Sequence, residues 1–262
     1  MPLADSRGPA VCAELIFFKT MKNRKISDFL EPPILIEPGE NREVLIIVFS
    51  GFQGRVMLHP YEFFTVSGLL QYSRILLRDT SRTCYLAGIP PHAEGYQGLL
   101  EFLREAITEL TPEKIITVGT SGGATAALWF GHDLAVDYVH AFAPYTSIDD
   151  EELFGERSET RDKILALPGI PEGYLDVSHA LSTDNGRTRY FVHTCKFSAP
   201  DMDRAMRLAG CPGVQVISAP CDEHRVTHYL VKKNLIRPML NINNQENLLE
   251  LIEKGELSKK SR

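Results

Sequence analysis

The sequence predicts a three-layer α/β/α sandwich with a mostly parallel central sheet. Two observations predict it: short, continuous apolar runs recur along the 262 residues, and helical or polar stretches separate them. A continuous apolar run is typical of a strand buried on both faces, and strands that alternate with helices are typical of a parallel sheet covered on both sides. No internal repeat or low-complexity linker interrupts the pattern, so we expect a single domain over residues 1–262.

The elements follow one another in a regular order. An amphipathic stretch over residues 96–110 predicts a helix, because apolar side chains recur there at helical spacing. The apolar runs predict six strands, at residues 44–49, 74–77, 115–118, 136–143, 190–193 and 214–218.

Two segments depart from the alternation. Residues 145–188 are rich in charge, proline and glycine and exceed the usual length of a connection, which favours a lid inserted between two strands over a plain crossover. The tail after residue 241 is mostly polar, with apolar positions near residues 248–252 that would suit one helix. We expect residues 255–262 to be flexible.

Composition excludes several classes of protein. Apolar residues make up 44% and charged residues 24%, as in an ordinary globular chain, and the net charge is -6. A mildly acidic chain has no general attraction for phosphate backbones, so nucleic acid is not expected as a partner. No apolar run is long enough to span a bilayer, and no signal peptide is evident. Five cysteines without a CxxC pair favour free thiols in a reducing cytoplasm.

The most informative motif is Gly119-Thr120-Ser121-Gly122-Gly123, a GxSxG pattern. A β-branched run precedes it and a helical stretch of small residues follows, which is the strand–turn–helix setting of a nucleophile elbow. Glycines two residues before and after the serine let strand and helix approach closely, and the turn lifts the hydroxyl above the edge of the sheet. A glycine-rich turn that binds phosphate or only packs is the alternative.

On these residues the chain resembles the α/β-hydrolase superfamily, and in particular small hydrolase-like proteins of bacterial polysaccharide and surface-glycan systems. The likeness covers roughly residues 43–240. It is carried by Phe49-Ser50-Gly51-Phe52, Leu77-Arg78-Asp79, the GxSxG motif, Asp203-Arg204-Ala205, and His224 ahead of Tyr229-Leu230. The resemblance implies a serine nucleophile, Ser121, followed along the chain by an acid and then a histidine.

His224 is the expected base. It follows the last predicted parallel strand, from which a loop can reach back over the sheet edge to Ser121. A neutral imidazole is needed there, because a serine hydroxyl is a poor nucleophile until a base takes its proton. His228, one helical turn later, is the alternative base. His140 and His193 lie within predicted strands and are expected in the core.

The acid is expected in the loop after the fifth predicted strand. Asp203 fits the resemblance best, since a helical pattern continues from it, although an N-cap role would also suit an aspartate there. Asp201 is the alternative acid, and Asp149 or Asp150 would serve if the acid lay one strand earlier. Arg78 and Asp79 are expected to brace the site loops structurally.

The oxyanion hole is inferred from position. The backbone amide of Gly122 is one expected donor, because it follows the nucleophile at the start of a helix. The second should come from the loop after the first strand, where Gly51 permits a close approach and the amide of Phe52 donates. An ordinary turn is the alternative.

These residues predict a serine hydrolase that cleaves an ester or thioester through an acyl-enzyme. The alternatives are an acyltransferase with the same triad, and a non-catalytic hydrolase-like scaffold that binds a glycan or a protein partner. No metal and no cofactor is expected, because no cluster of His, Asp and Glu has ligand spacing. The substrate would be a small molecule or an ester on an acyl carrier or glycan, and the sequence does not predict the oligomeric state.

Overall fold

The fold is built on one eight-stranded sheet with strand order β1-β3-β2-β6-β7-β8-β9-β10. A computed structural model describes residues 33–56, 58–150, 154, 158–222, 224–240 and 258–260. Six neighbouring strands from β3 to β9 run parallel, while β1 and β10 pair antiparallel at the two edges. The sheet strands are β1 Ile34–Glu37, β2 Asn41–Phe49, β3 Tyr72–Leu77, β6 Lys114–Thr120, β7 Tyr138–Phe142, β8 Arg189–Cys195, β9 Val214–Ala219 and β10 Ser258–Lys260.

Helices cover both faces of this sheet. A separate two-stranded hairpin, β4 Gly88–Ile89 with β5 Ala93–Glu94, precedes the longest of them. The described helices are α1 Pro60–Ser67, α2 Gly95–Leu110, α3 Gly122–Asp133, α4 Ser158–Leu165, α5 Val177–Ala180, α6 Ala199–Arg207, α7 Val226–Lys232 and α8 Ile236–Met239.

Strand β2 shows why the sheet is covered on both sides. Its alternate residues Leu45, Ile47 and Phe49 belong to the core beneath α2, α3 and α6, whereas the intervening apolar residues face the core beneath α1, α7 and α8. Side chains alternate across a strand, so a run that is apolar at every position must be buried on both faces. The predicted three-layer α/β/α architecture is therefore confirmed.

All six predicted strands and the 96–110 helix are present, with small shifts at their ends. The predictions missed the edges of the sheet, because β1 is only four residues long and β10 has three residues, none of them apolar. Residues 258–260, expected in a flexible tail, instead pair with β9. The helix suggested near residues 248–252 lies outside the described residues.

Residues 145–188, the predicted insert, connect β7 to β8, and their role as a lid stays a prediction. The insert contains α4 and α5 within its described part. Among the described residues, we find no helix that combines the length and the apolarity needed to cross a bilayer.

Two buried histidines lie side by side in the sheet, as expected for core residues. His140 Nδ1 on β7 is 3.1 Å from His193 Nε2 on β8, and the two rings are stacked. Burial lowers the pKa of His140 to about 3. Burial and then the charge of His140 lower the pKa of His193 well below its ordinary value. Both side chains are therefore neutral in the folded protein at neutral pH.

This pair should make the free energy of unfolding depend on pH. The unfolded chain binds protons at both histidines as the pH falls through about 6.5, whereas the folded chain does not. Stability is thus fully present above that pH and is lost on acidification, by about 1.4 kcal/mol per pH unit for each histidine. Urea unfolding between pH 7 and pH 5 measures this slope.

Single His140→Gln and His193→Gln variants should each reduce the pH dependence of the free energy of unfolding by about the contribution of one histidine. His228→Gln is the matched control, since His228 is exposed. If the free energy of unfolding of the two buried-site variants changes with pH as steeply as that of the control, the histidine pair does not cause the loss of stability in acid.

Candidate active site

Ser121 lies in a strained turn between the end of β6 and the start of α3. Its backbone angles are φ 54° and ψ -126°, a conformation that residues other than glycine rarely adopt. A Cβ on Gly119 would collide with the backbone of Gly123, and a Cβ on Gly123 would collide with the carbonyls of Phe49 and Ser50. The two glycines of the motif are therefore required by the close approach of strand and helix, as the sequence predicts.

Backbone hydrogen bonds hold the strained residue in place. The Ser121 amide donates to the Phe142 carbonyl on β7 at 2.9 Å, and the Ser121 carbonyl accepts from Ala124. The turn is thus tied to the sheet on one side and to α3 on the other. This support offsets the cost of the unfavourable backbone angles, which is on the order of 1–3 kcal/mol.

His224, the expected base, is within hydrogen-bond distance of Ser121. The Ser121 Oγ lies 3.2 Å from His224 Nε2, across 103 residues of sequence. The His224 side chain is 32% exposed, so its outer face is open to solvent. His228, the alternative base, is exposed on α7, one turn beyond the loop that carries His224.

Asp201, and not Asp203, is the carboxylate that reaches His224. Asp201 Oδ1 accepts from His224 Nδ1 at 2.7 Å, and the Asp201 side chain is only 2% exposed. The preference for Asp203 was wrong, because α6 begins at Ala199 and a residue two positions beyond Asp201 points about 200° away around the helix. Asp203 is exposed, as are Asp149 and Asp150.

The hydrogen bonds select one form of the imidazole. A carboxylate only accepts hydrogen bonds, so His224 must carry its proton on Nδ1. Its Nε2 then has a lone pair that faces the Ser121 hydroxyl. This is the tautomer required of a general base.

Arg204 is a second partner of Asp201 that the sequence analysis missed. Its Nη1 donates to Asp201 Oδ1 at 3.1 Å, one helical turn along α6. Burial alone would raise the pKa of Asp201, but the hydrogen bond and charge of His224 together with the charge of Arg204 outweigh it and lower the pKa below its usual value. The Asp-x-x-Arg spacing on a helix was the available signal, since residues three apart share a face.

The expected oxyanion loop follows β2, at residues 50–54. The Gly51 amide donates to the Arg55 carbonyl at 2.8 Å within the loop. A Cβ on Gly51 would lie 3.1 Å from the Thr120 carbonyl oxygen, so the loop backbone does lie close to the end of β6 at this residue. The part of Gly51 in an oxyanion hole stays a prediction. The Gly122 amide stands at the first position of α3, where no intrahelical acceptor exists. The Phe52 amide remains a prediction, while its ring packs against Gly122.

A network of buried polar groups supports the loop that follows β2. Asp79 accepts from the amides of Ser81, Thr83 and Tyr85, and burial raises its pKa against the opposing effect of these amides. The buried Tyr85 hydroxyl lies 3.0 Å from the carbonyl of Ser50, directly before the expected oxyanion loop. The Asp79 carboxylate therefore has the structural role expected of it, since it fixes the backbone of residues 81–85 and with it the position of Tyr85.

A disulfide joins the segment that leads into α6, the helix of Asp201, to the loop that carries His224. Cys195 ends β8 and Cys221 follows β9, and the structure pairs them. The expectation of free thiols was wrong here, because residues 26 apart in sequence meet where neighbouring parallel strands end. Cys84 and Cys211 form no disulfide within the described part of the chain, and Cys12 lies outside it. The pairing removes the reason for which the sequence favoured a reducing cytoplasm.

Tyr145, at the start of the 145–188 segment, packs beside the site. Its backbone amide donates to Thr125 Oγ1 at 3.0 Å, and the same hydroxyl donates to the Tyr145 carbonyl at 2.8 Å. Thr125 lies one turn after Ser121 on α3. The Tyr145 ring lies 6.0 Å from the His224 ring and 5.9 Å from the Phe52 ring, measured between centroids. The segment thus supplies one wall of the site.

The arrangement is suited to transferring a proton from a hydroxyl to an imidazole. Ser121, His224 and Asp201 form one continuous chain of hydrogen bonds, and the N-terminal end of α3 adjoins the hydroxyl. Helix N-termini favour negative charge. A carbonyl compound attacked at this position would develop negative charge beside that end of the helix.

Comparison with known proteins finds similar folds among solved structures. No family model matches the chain, and no curated protein matches it in sequence. Solved structures do match, at low identity. A Staphylococcus aureus protein of unknown function has a TM-score of 0.57 at 13% identity, with 82% of this chain and 94% of that chain covered.

Two further structures carry descriptions of activity. The S-formylglutathione hydrolase FrmB of Staphylococcus aureus has a TM-score of 0.53 at 11% identity, over 79% of this chain and 86% of that chain. The proline iminopeptidase of Mycobacterium smegmatis has a TM-score of 0.51 at 13% identity, over 83% and 95%. Together with the strand order and the turn at Ser121, these likenesses show that the protein has the α/β-hydrolase fold.

Proposed function

We propose that the protein is a serine hydrolase that cleaves an ester or thioester through an acyl-enzyme, with Ser121 as nucleophile, His224 as base and Asp201 as the acid. The observation that carries the proposal is the continuous chain of hydrogen bonds from Ser121 Oγ through His224 to Asp201. Several proteins of this fold are hydrolases by their descriptions, which makes hydrolysis the chemistry to test first.

In the first half of the reaction, Ser121 Oγ attacks the substrate carbonyl carbon. Its proton passes to His224 Nε2, which lies 3.2 Å away. The imidazolium that forms is stabilised by the Asp201 carboxylate, which keeps its negative charge. Collapse of the tetrahedral intermediate breaks the bond to the alcohol or thiol, and His224 returns the proton to that leaving group.

In the second half, water replaces the leaving group. His224 takes a proton from the water as it attacks the acyl-enzyme, and the Ser121 oxygen leaves with that proton. The partly exposed His224 side chain allows water to approach this face. The products are a carboxylic acid and the regenerated hydroxyl.

The negative charge on the carbonyl oxygen needs fixed donors in both halves. The Gly122 amide is the first, because it begins α3 directly after the nucleophile. Loss of one such donor in other hydrolases lowers turnover by about a hundredfold to a thousandfold. The second donor we assign to the amide of Phe52, in the loop that Tyr85 supports.

A fluorophosphonate probe tests the nucleophile. The unsubstituted protein should be labelled covalently, because a serine whose proton is taken by a neighbouring base attacks the phosphorus of the probe, expels fluoride and becomes phosphonylated. Ser121→Ala should lose the label completely, as judged by gel fluorescence and intact mass. Ser182→Ala is the matched control, because Ser182 is an exposed serine of the 145–188 segment.

Two outcomes would contradict the proposal. A folded, unsubstituted protein that takes no label would favour the non-catalytic scaffold. Label that persists in Ser121→Ala would place the reactive residue elsewhere.

A further inference from the structure

We propose that the ring of Phe52 limits the acyl group of the substrate to about the size of acetyl, an inference that rests on the function proposed above. The ring occupies the space that a side chain would otherwise fill at residue 122, which directly follows the nucleophile. A Cβ built on Gly122 would lie 2.6 Å from Phe52 Cζ and 2.7 Å from Cε1. Glycine at position 122 and phenylalanine at position 52 are therefore complementary in shape.

This position matters because the acyl group must bind beside it. The carbonyl oxygen of a bound ester would accept from the Gly122 amide, so the carbonyl carbon and its alkyl substituent would lie close to residue 122. The leaving group departs toward His224, the source of its proton. The ring of Phe52 is thus a neighbour of the acyl group, which stays bound to Ser121 after the leaving group departs.

Neighbouring side chains hold the ring in place. Phe52 is 8% exposed and packs on Tyr145, with 5.9 Å between ring centroids. Tyr145 in turn packs on Phe154 at 4.9 Å, and the Arg204 guanidinium lies 4.9 Å from the centre of its ring. The two hydrogen bonds with Thr125 fix the Tyr145 backbone to α3.

A long acyl chain would have to displace this packed group. Movement of Phe52 would remove its contact with Tyr145, which also packs against Phe154 and the Arg204 guanidinium. Protein interiors resist such overpacking, and one methylene in an apolar pocket alters kcat/KM by about 10-fold to 200-fold. An acetyl group needs no such displacement.

The test is the chain-length profile of p-nitrophenyl acetate, butyrate and octanoate. For the unsubstituted protein, kcat/KM should fall by at least about 100-fold from acetate to octanoate. Phe52→Ala should reduce that ratio at least about 10-fold by accepting the longer chains, and Phe52→Leu should be intermediate. Phe197→Ala is the matched control, because Phe197 is 64% exposed on the loop between β8 and α6, and it should keep the original profile.

Labelling by a small fluorophosphonate separates the two proposals. A protein that takes the label but hydrolyses octanoate as fast as acetate overturns the role of Phe52. So does a labelled Phe52→Leu variant, of unchanged circular dichroism, whose profile equals that of the unsubstituted protein. If the unsubstituted protein takes no label and hydrolyses none of the esters, the proposed function fails and this inference fails with it.

Discussion

Replacing His224 by alanine should lower kcat/KM for p-nitrophenyl acetate by about four orders of magnitude or more. The Ser121 hydroxyl would keep its position on the elbow but lose the only group seen to accept its proton among the described residues. A serine hydroxyl without a base is a weak nucleophile at neutral pH. Initial rates at saturating and limiting ester measure the effect, and thermal unfolding should change little because the side chain is partly exposed.

His228→Ala is the control for this experiment. His228 lies four residues further along the chain but is exposed on α7, so its removal should leave kcat/KM within about twofold. An equal loss of activity in both variants would point to damage in the loop-to-helix segment that contains both histidines. A loss confined to His228→Ala would transfer the role of base to that residue.

The sequence was sufficient to locate the strained turn at Ser121 and the loop that brings His224 beside it. Both depend on local signals: the glycine spacing around Ser121 is imposed by backbone contact, and His224 follows an apolar run that ends at the same sheet edge. Parallel strands bring their carboxyl ends together, so the two residues can meet although 103 positions separate them.

The choice between two aspartates could not be made from the same signals. Asp201 and Asp203 lie in one loop-to-helix transition, and the answer depends on the residue at which α6 begins. Helix ends are the least certain part of a sequence-based prediction. The resemblance favoured Asp203, whereas in the structure Asp201 faces His224 and pairs with Arg204 one helical turn later.

The remaining features depend on contacts between distant segments. The disulfide joins the ends of β8 and β9, and no local spacing marks Cys195 and Cys221 as neighbours. The packing of Phe52 on Tyr145 brings together the loop after β2 and the segment after β7. Such contacts follow from the three-dimensional path of the chain, which the order of strands in the sequence does not determine.

Changing Asp201 to asparagine should lower kcat by about four orders of magnitude, while Asp203→Asn should leave it within about twofold. An asparagine at position 201 can present its amide N–H to His224 Nδ1, which would favour the tautomer with the proton on Nε2. That nitrogen could then no longer accept the Ser121 proton. The same ester assay measures both variants, and they differ by two positions on one helix.

The stability of the two variants provides a further contrast. Asp201 is buried and paired with Arg204, so its neutralisation leaves a buried guanidinium with a weaker partner, and we expect a lower melting temperature. Asp203 is exposed and its replacement should leave the melting temperature unchanged. If Asp203→Asn loses activity while Asp201→Asn retains it, the hydrogen bond at 2.7 Å does not identify the acid, and the position favoured by the resemblance is correct after all.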